Sequence, residues 1–174
     1  AHLLRGQKKF EGKRYRKALN DFEAALEYPE NLNVGRPGRD KRTCQIFFFI
    51  GKAYEALGDI RKAREYFEKS ASVELRRSEY TYYKGLSLKK LGQEDKAEKI
   101  FDELIASAKP GPVVEFFAKF GEKQAHNIRK ANNHYLVGLG YLGKGMKTEA
   151  KAQLVKALEL NINHLWARAH LSEL

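Results

Sequence analysis

Residues 47–71 read FFFIGKAYEALGDIRKAREYFEKSA, and the spacing within that stretch decides the fold. Its framework is Phe47, Ile50, Gly51, Tyr54, Leu57, Gly58, Ala63, Phe67 and Ala71. The same frame returns around Gly85 as Thr81, Lys84, Gly85, Leu88, Leu91, Gly92, Ala97, Phe101 and Ile105. It returns again around Gly138 as His134, Val137, Gly138, Tyr141, Lys144, Gly145, Ala150, Leu154 and Leu158. A degenerate first copy runs from Gly6 through Ala18, Phe22 and Leu26. Gly51 and Gly85 are 34 positions apart, which is the period of a helical hairpin repeated along a chain. In each unit a small residue on the first helix lets the second cross it closely, and a second glycine turns the chain. The later Ala and large apolar residue then pack back into the crossing.

This frame resembles the tetratricopeptide repeat family over most of the chain, departing in the copy around Gly51 only by Phe47 for the usual Trp and Ser70 for a small Ala. The resemblance implies an all-α, right-handed superhelical array of antiparallel helix hairpins. The repeats are expected at about 1–28, 43–76, 77–109 and 125–162, in one domain over 1–174, closed by a helix at 163–174. Gly6, Gly51, Gly58, Gly85, Gly92, Gly138, Ala18, Ala63, Ala97 and Ala150 carry the repeat signature.

Two departures interrupt the period. Gly6 and Gly51 are 45 positions apart, and Gly85 and Gly138 are 53 apart. Insertions are therefore expected at 29–42 and 110–124. The first holds Pro29, Gly35, Pro37 and Gly38, which is loop chemistry. The second opens on Pro110, Gly111 and Pro112, places Val113, Phe116, Phe117 and Phe120 at helical spacing, and reaches Gly121. That predicts a short amphipathic helix ending at the glycine. The stretches Tyr28–Pro37 and Tyr135–Gly143 also look like the C-terminal repeat region of a family of large bacterial proteins, in which helical repeats follow a β-rich, carbohydrate-active-like region. That similarity implies a context outside this chain.

Composition sets the outer bounds. Hydrophobic residues make up 43% and charged residues 32%, with only 4 Pro, so a helical chain that shares its core along the seams between hairpins is expected. The longest apolar run, Ile46 to Ile50, is too short to cross a bilayer, and no membrane partner is expected. Cys44 is the single cysteine, which excludes a disulfide framework and a metal knuckle and names no compartment, the cytoplasm being only the default. The chain begins at Ala1 and ends at Leu174 inside apparent helices, as a segment cut from a longer protein would. The net charge of +11 is partly local: Arg5, Lys8, Lys9, Lys13, Arg14, Arg16 and Lys17 face only Glu11. A solvated helix face explains such a run, and an acidic protein or nucleic acid are the sharper alternatives, with nucleic acid ranked below protein because no reader motif accompanies the charge.

No arrangement of nucleophile, acid and base stands out, so no catalytic residue, no metal and no cofactor is assigned. His2, His126, His134, His164 and His170 include no pair at the four-residue spacing that puts two ligands on adjacent turns. Gly138, Gly140, Gly143 and Gly145 lack the strand and the Lys-Ser or Lys-Thr pair of a phosphate loop and read as a close crossing followed by a turn.

What remains is a groove. The family resemblance implies that positions three before and one after the signature glycine face the concave side. The first set is Phe48, Tyr82 and Tyr135; the second is Lys52, Leu86 and Leu139, with Gln7 from the first copy. Three aromatics at one repeat position offer rigid contact area to a partner, or they serve as core for the inserted helix at 113–120. Leu3 and Gln7 stand where a carboxylate-clamp repeat would show Lys and Asn, which argues against that subset. The expected function is a non-enzymatic scaffold for protein–protein interaction, binding a peptide or another domain of the same chain in this groove. The alternatives are an accessory or self-association part of a larger carbohydrate-active bacterial protein, including a homo-oligomer, and below it non-specific nucleic-acid binding through the basic surface.

Overall fold

The computed structural model describes residues 2–27, 41–106 and 120–174, the side chains of 120–123 excepted. The described residues are helical and hold no strand: α1 (His2–Glu11), α2 (Tyr15–Ala24), α3 (Thr43–Ala56), α4 (Ile60–Ser72), α5 (Glu79–Lys90), α6 (Glu94–Ala106), α7 (Phe120–Gly143), α8 (Lys147–Leu160) and α9 (Leu165–Ser172). Residues 28–40 and 107–119, on which the first expected insertion and most of the expected helix at 113–120 fall, lie outside the described residues. One boundary differs from expectation. Gly121 does not end a helix but sits in the first turn of α7, which runs for 24 residues. A glycine inside a helix costs only about 1 kcal/mol relative to Ala, so it is a weak stop when residues on both sides favour helix.

The chain divides into two compact units, Ala1–Ala97 and Glu98–Leu174, with the division inside α6. In the first unit α1 packs on α2 and α3 on α4, while α3 also meets α2 and α5. A helix covered on several sides needs apolar residues on several faces, and α3 buries Cys44, Ile46, Phe48, Ile50 and Ala53. Ala18, Phe22, Ile46, Ile50 and Ala53 form one core cluster. Cys44, Phe48, Ala63, Phe67 and Tyr83 form a second. The crossing logic is visible within each hairpin: Gly6 faces the Phe22 ring and Gly51 the Phe67 ring.

Helix α4 shows how sequence makes the element. Asp59 caps it by accepting from the Lys62 backbone N–H at 3.0 Å. Ala63, Phe67 and Ser70 are its buried stripe, while Lys69 pairs outside with Glu65 at 2.7 Å. Ser70, standing where the repeat usually has Ala, is fully buried and satisfied. Its Oγ donates to the Cys44 carbonyl at 2.9 Å and accepts from the Ser87 hydroxyl at 2.8 Å. That bond ties α5 to α4. Burial pushes the neighbouring Cys44 thiol up to about 11, the Ser70 contact opposing it only in part, so this cysteine is inert at neutral pH.

In the second unit α7 packs along α8, and α9 docks on α8. Gly138 faces Leu154, and Gly140 and Gly143 lie against Ile105 and Phe101 of α6. The run of glycines is therefore a close crossing, and Gly145, at φ +76°, makes the turn that follows. Lys144 closes the same crossing from outside, reaching Asp102 at 2.6 Å and Glu98 at 3.2 Å.

Candidate interaction face

Helices α1, α3 and α5 are the first helices of three successive hairpins, and α3 touches both of the others. In this unit four of the seven residues expected in a groove come together, Phe48, Tyr82 and Leu86 in one cluster and Lys52 over the Phe48 ring, and they differ in access. Phe48 is closed in, 6% exposed, with ring centroids 5.9 Å from Phe67 and 5.7 Å from Tyr83. Tyr82 is half-buried, edge-on to Tyr83 at 5.3 Å, and Leu86 is half-buried on the same cluster. Gln7 and Lys52 are half-buried too. The Lys52 ammonium lies 4.9 Å from the centre of the Phe10 ring and 5.9 Å from that of Phe48. It thus joins α1 to α3 through attraction to two ring faces. At the rim Lys90 of α5 grips Glu55 of α3 at 2.8 Å. The result is a closed-in Phe48 with partly open aromatic, aliphatic and cationic groups packed about it.

Tyr135 and Leu139 belong to the second unit and are buried there, 6% and 0% exposed. Tyr135 packs on two histidines, with centroid distances of 4.6 Å to His164 and 6.0 Å to His170. His164 does a job that residue type alone did not suggest: its Nδ1 accepts from the Ala167 N–H at 3.1 Å, capping α9. Its Nε2 then donates to Asn132 Oδ1 at 3.1 Å. The signal in the sequence was its place just before an apolar helical run, where a cap belongs. His134 pairs with Gln153 at 2.8 Å. No group of three or more His, Cys, Asp or Glu suited to a metal occurs among the described residues.

The α1–α2 hairpin is held by charge. Asp21, nearly buried, meets Arg5 at 2.6 Å and Lys9 at 2.6 Å. The Arg5 hydrogen bonds, with help from Lys9 and against the effect of burial, hold its carboxyl at about 2. These carboxylate and cation positions are structural. They leave the other cations of the hairpin turn outside any ion pair among the described residues.

Matches to the tetratricopeptide repeat family cover residues 45–75 and 80–108, so the chain carries tetratricopeptide repeats in these two segments. Three solved structures align with nearly the whole chain at low TM-scores. MamA 41-end from Desulfovibrio magneticus RS-1 is 20% identical over 98% of this chain and 79% of that one, with a TM-score of 0.38. TTC0263, a thermophilic TPR protein in Thermus thermophilus, is 23% identical over 99% and 96%, with a TM-score of 0.36. YrrB, a TPR protein with an unusual peptide-binding site, is 16% identical over 99% and 91%, with a TM-score of 0.35.

Proposed function

We propose that this chain is a non-enzymatic interaction scaffold that holds a peptide or a neighbouring domain against the α1–α3–α5 face. The observation that carries the reading is the half-buried set Lys52, Tyr82 and Leu86 packed about the closed-in Phe48, with Gln7 half-buried on the neighbouring α1. Partly open side chains on rigid packed helices lose little freedom when a partner arrives, so more of the contact energy appears as affinity. Tyr82 supplies a large ring with a polar tip, and Leu86 the apolar contact beside it. Tyr135 and Leu139 act on this reading as support within their own unit rather than as contact residues.

The test is selection from a random peptide library on the purified chain, followed by affinity measurement on two variants. Tyr82→Ala should weaken selected peptides by about 2 kcal/mol or more while the melt changes little. Leu86→Glu should do the same. Peptides that bind both variants as tightly as the unaltered chain overturn the assignment of the face.

A further inference from the structure

We infer that the α1–α2 turn extends this face into a cationic tip that takes an acidic segment of the bound partner; the inference rests on the face proposed above for the partner's remainder. Four hairpin turns stand in equivalent places, seven residues after Gly6, Gly51, Gly85 and Gly138. Three of them put Gly58, Gly92 and Gly145 in the left-handed region, at φ +84°, +73° and +76°. The first puts Lys13 there, at φ +55°. A lysine in that region is strained where glycine is not.

The next position is a cap in the second hairpin but not in the first or the last, where Met146 also makes no side-chain cap. Asp59 caps α4, whereas Arg14 occupies the corresponding place before α2 and makes no side-chain cap. Arg16 and Lys17 follow in the first turn of α2, where the helix dipole disfavours cations. Each choice lowers the stability of the hairpin, and each adds a positive charge to its tip.

The charges are also unspent. Lys8, Lys13, Arg14, Arg16 and Lys17 are exposed and take part in no ion pair among the described residues. Elsewhere in the unit Lys69 pairs with Glu65, Arg64 with Glu68 and Lys90 with Glu55; Arg61, Arg76 and Arg77 are also exposed and in no ion pair among the described residues, but only at the tip do five such cations fall between residues 8 and 17. Arg5 and Lys9 are taken up by Asp21. The tip is continuous with the face: Tyr15 packs on Phe10 at 5.2 Å, and Phe10 lies under the Lys52 ammonium.

Carboxylates of a peptide fit this surface better than phosphates of a nucleic acid or a lipid. Phe10 and Tyr15 pack on each other half-buried, which leaves no open ring on which unpaired bases stack. No large exposed apolar side chain lies between residues 8 and 17 to enter a bilayer.

The experiment measures binding of a labelled oligoglutamate peptide to the full chain at low salt, beside an oligoglutamine peptide, a single-stranded oligonucleotide and vesicles containing phosphatidylserine. Oligoglutamate should bind, oligoglutamine should not, and salt should abolish the difference. The double variant Arg14→Glu with Lys17→Glu should lose about tenfold or more in affinity with an unchanged helical spectrum. Lys13→Gly should bind less tightly by about twofold yet melt higher by about 2 to 4 °C, because strain is relieved as a charge is removed. Tyr82→Ala should keep its oligoglutamate affinity, so failure of the face and failure of the tip give different results. Unchanged affinity in the double variant overturns the inference, as does a lower melt for Lys13→Gly. Tighter binding to the oligonucleotide or the vesicles, lost in the double variant, transfers the tip to a phosphate partner and overturns it also.

Discussion

Gly51 lies directly beneath the Phe67 ring: a Cβ at position 51 would fall 2.7 Å from Cε1 and 2.8 Å from Cδ1. Both residues are buried, so neither helix has free space into which to withdraw. Gly51→Ala should therefore force the ring aside, and Gly51→Leu should separate α3 from α4. The expected cost is about 1 to 3 kcal/mol for the smaller change and more for the larger. Chemical denaturation followed by far-ultraviolet circular dichroism measures it, and an unaltered midpoint for Gly51→Leu would show that the crossing is loose.

Asp21 gives the α1–α2 hairpin a definite response to acid. Its carboxyl titrates at about 2 in the folded chain, against about 3.9 in an unfolded one. The charged form is the one the fold prefers, so its contribution is complete above about pH 4 and is lost as pH falls toward 2. Arg5 is more than half exposed, which screens the pair and keeps the contribution on the order of 1 kcal/mol. Stability of the native chain should fall between pH 4 and 2 by that amount more than in Asp21→Asn. Parallel pH profiles for the two proteins would contradict the assignment.

The buried hydroxyl chain from Ser87 through Ser70 to the Cys44 carbonyl makes a prediction about coupling rather than about one residue. Ser70→Ala restores the usual repeat residue but leaves the buried Ser87 hydroxyl without its acceptor. That should cost about 1 to 3 kcal/mol. Ser87→Ala removes the donor, and the double variant Ser70→Ala with Ser87→Ala should cost clearly less than the two single changes together. Additive losses in a double-mutant cycle would mean that the serines act separately.

The repeat frame was legible because it rests on pairs of fixed sequence spacing, and those pairs meet locally: Gly6 with Phe22, Gly51 with Phe67, Gly138 with Leu154. The environments of Phe48, Tyr82 and Tyr135 were not legible, although all three stand at one repeat position. Two of them depend on what a later helix brings: Tyr83 of α5 covers Phe48, and the histidines at the start and end of α9 cover Tyr135. Equal register gives an equal place on the first helix of each hairpin, not equal cover. Lys13 was readable as a charge, but its left-handed backbone emerges only when the turn is laid against Gly58, Gly92 and Gly145.

His164 separates capping from bulk in a way that two substitutions resolve. Its Nδ1 accepts the Ala167 N–H, its Nε2 meets Asn132, and its ring packs on Tyr135. Helix α9 spans only eight residues, too few to persist without its cap and its docking. His164→Ala removes the cap, the Asn132 bond and the ring contact together. It should cost about 1 kcal/mol for the cap alone and more for the packing. His164→Asn restores a good capping side chain without the ring and should recover the cap's share. Amide hydrogen exchange at Ala167 and its neighbours reads the difference directly: protection lost in the alanine variant should return in part in the asparagine variant. Equal protection in both would show that α9 is held by Ala167 and α8 packing and that the histidine cap contributes nothing.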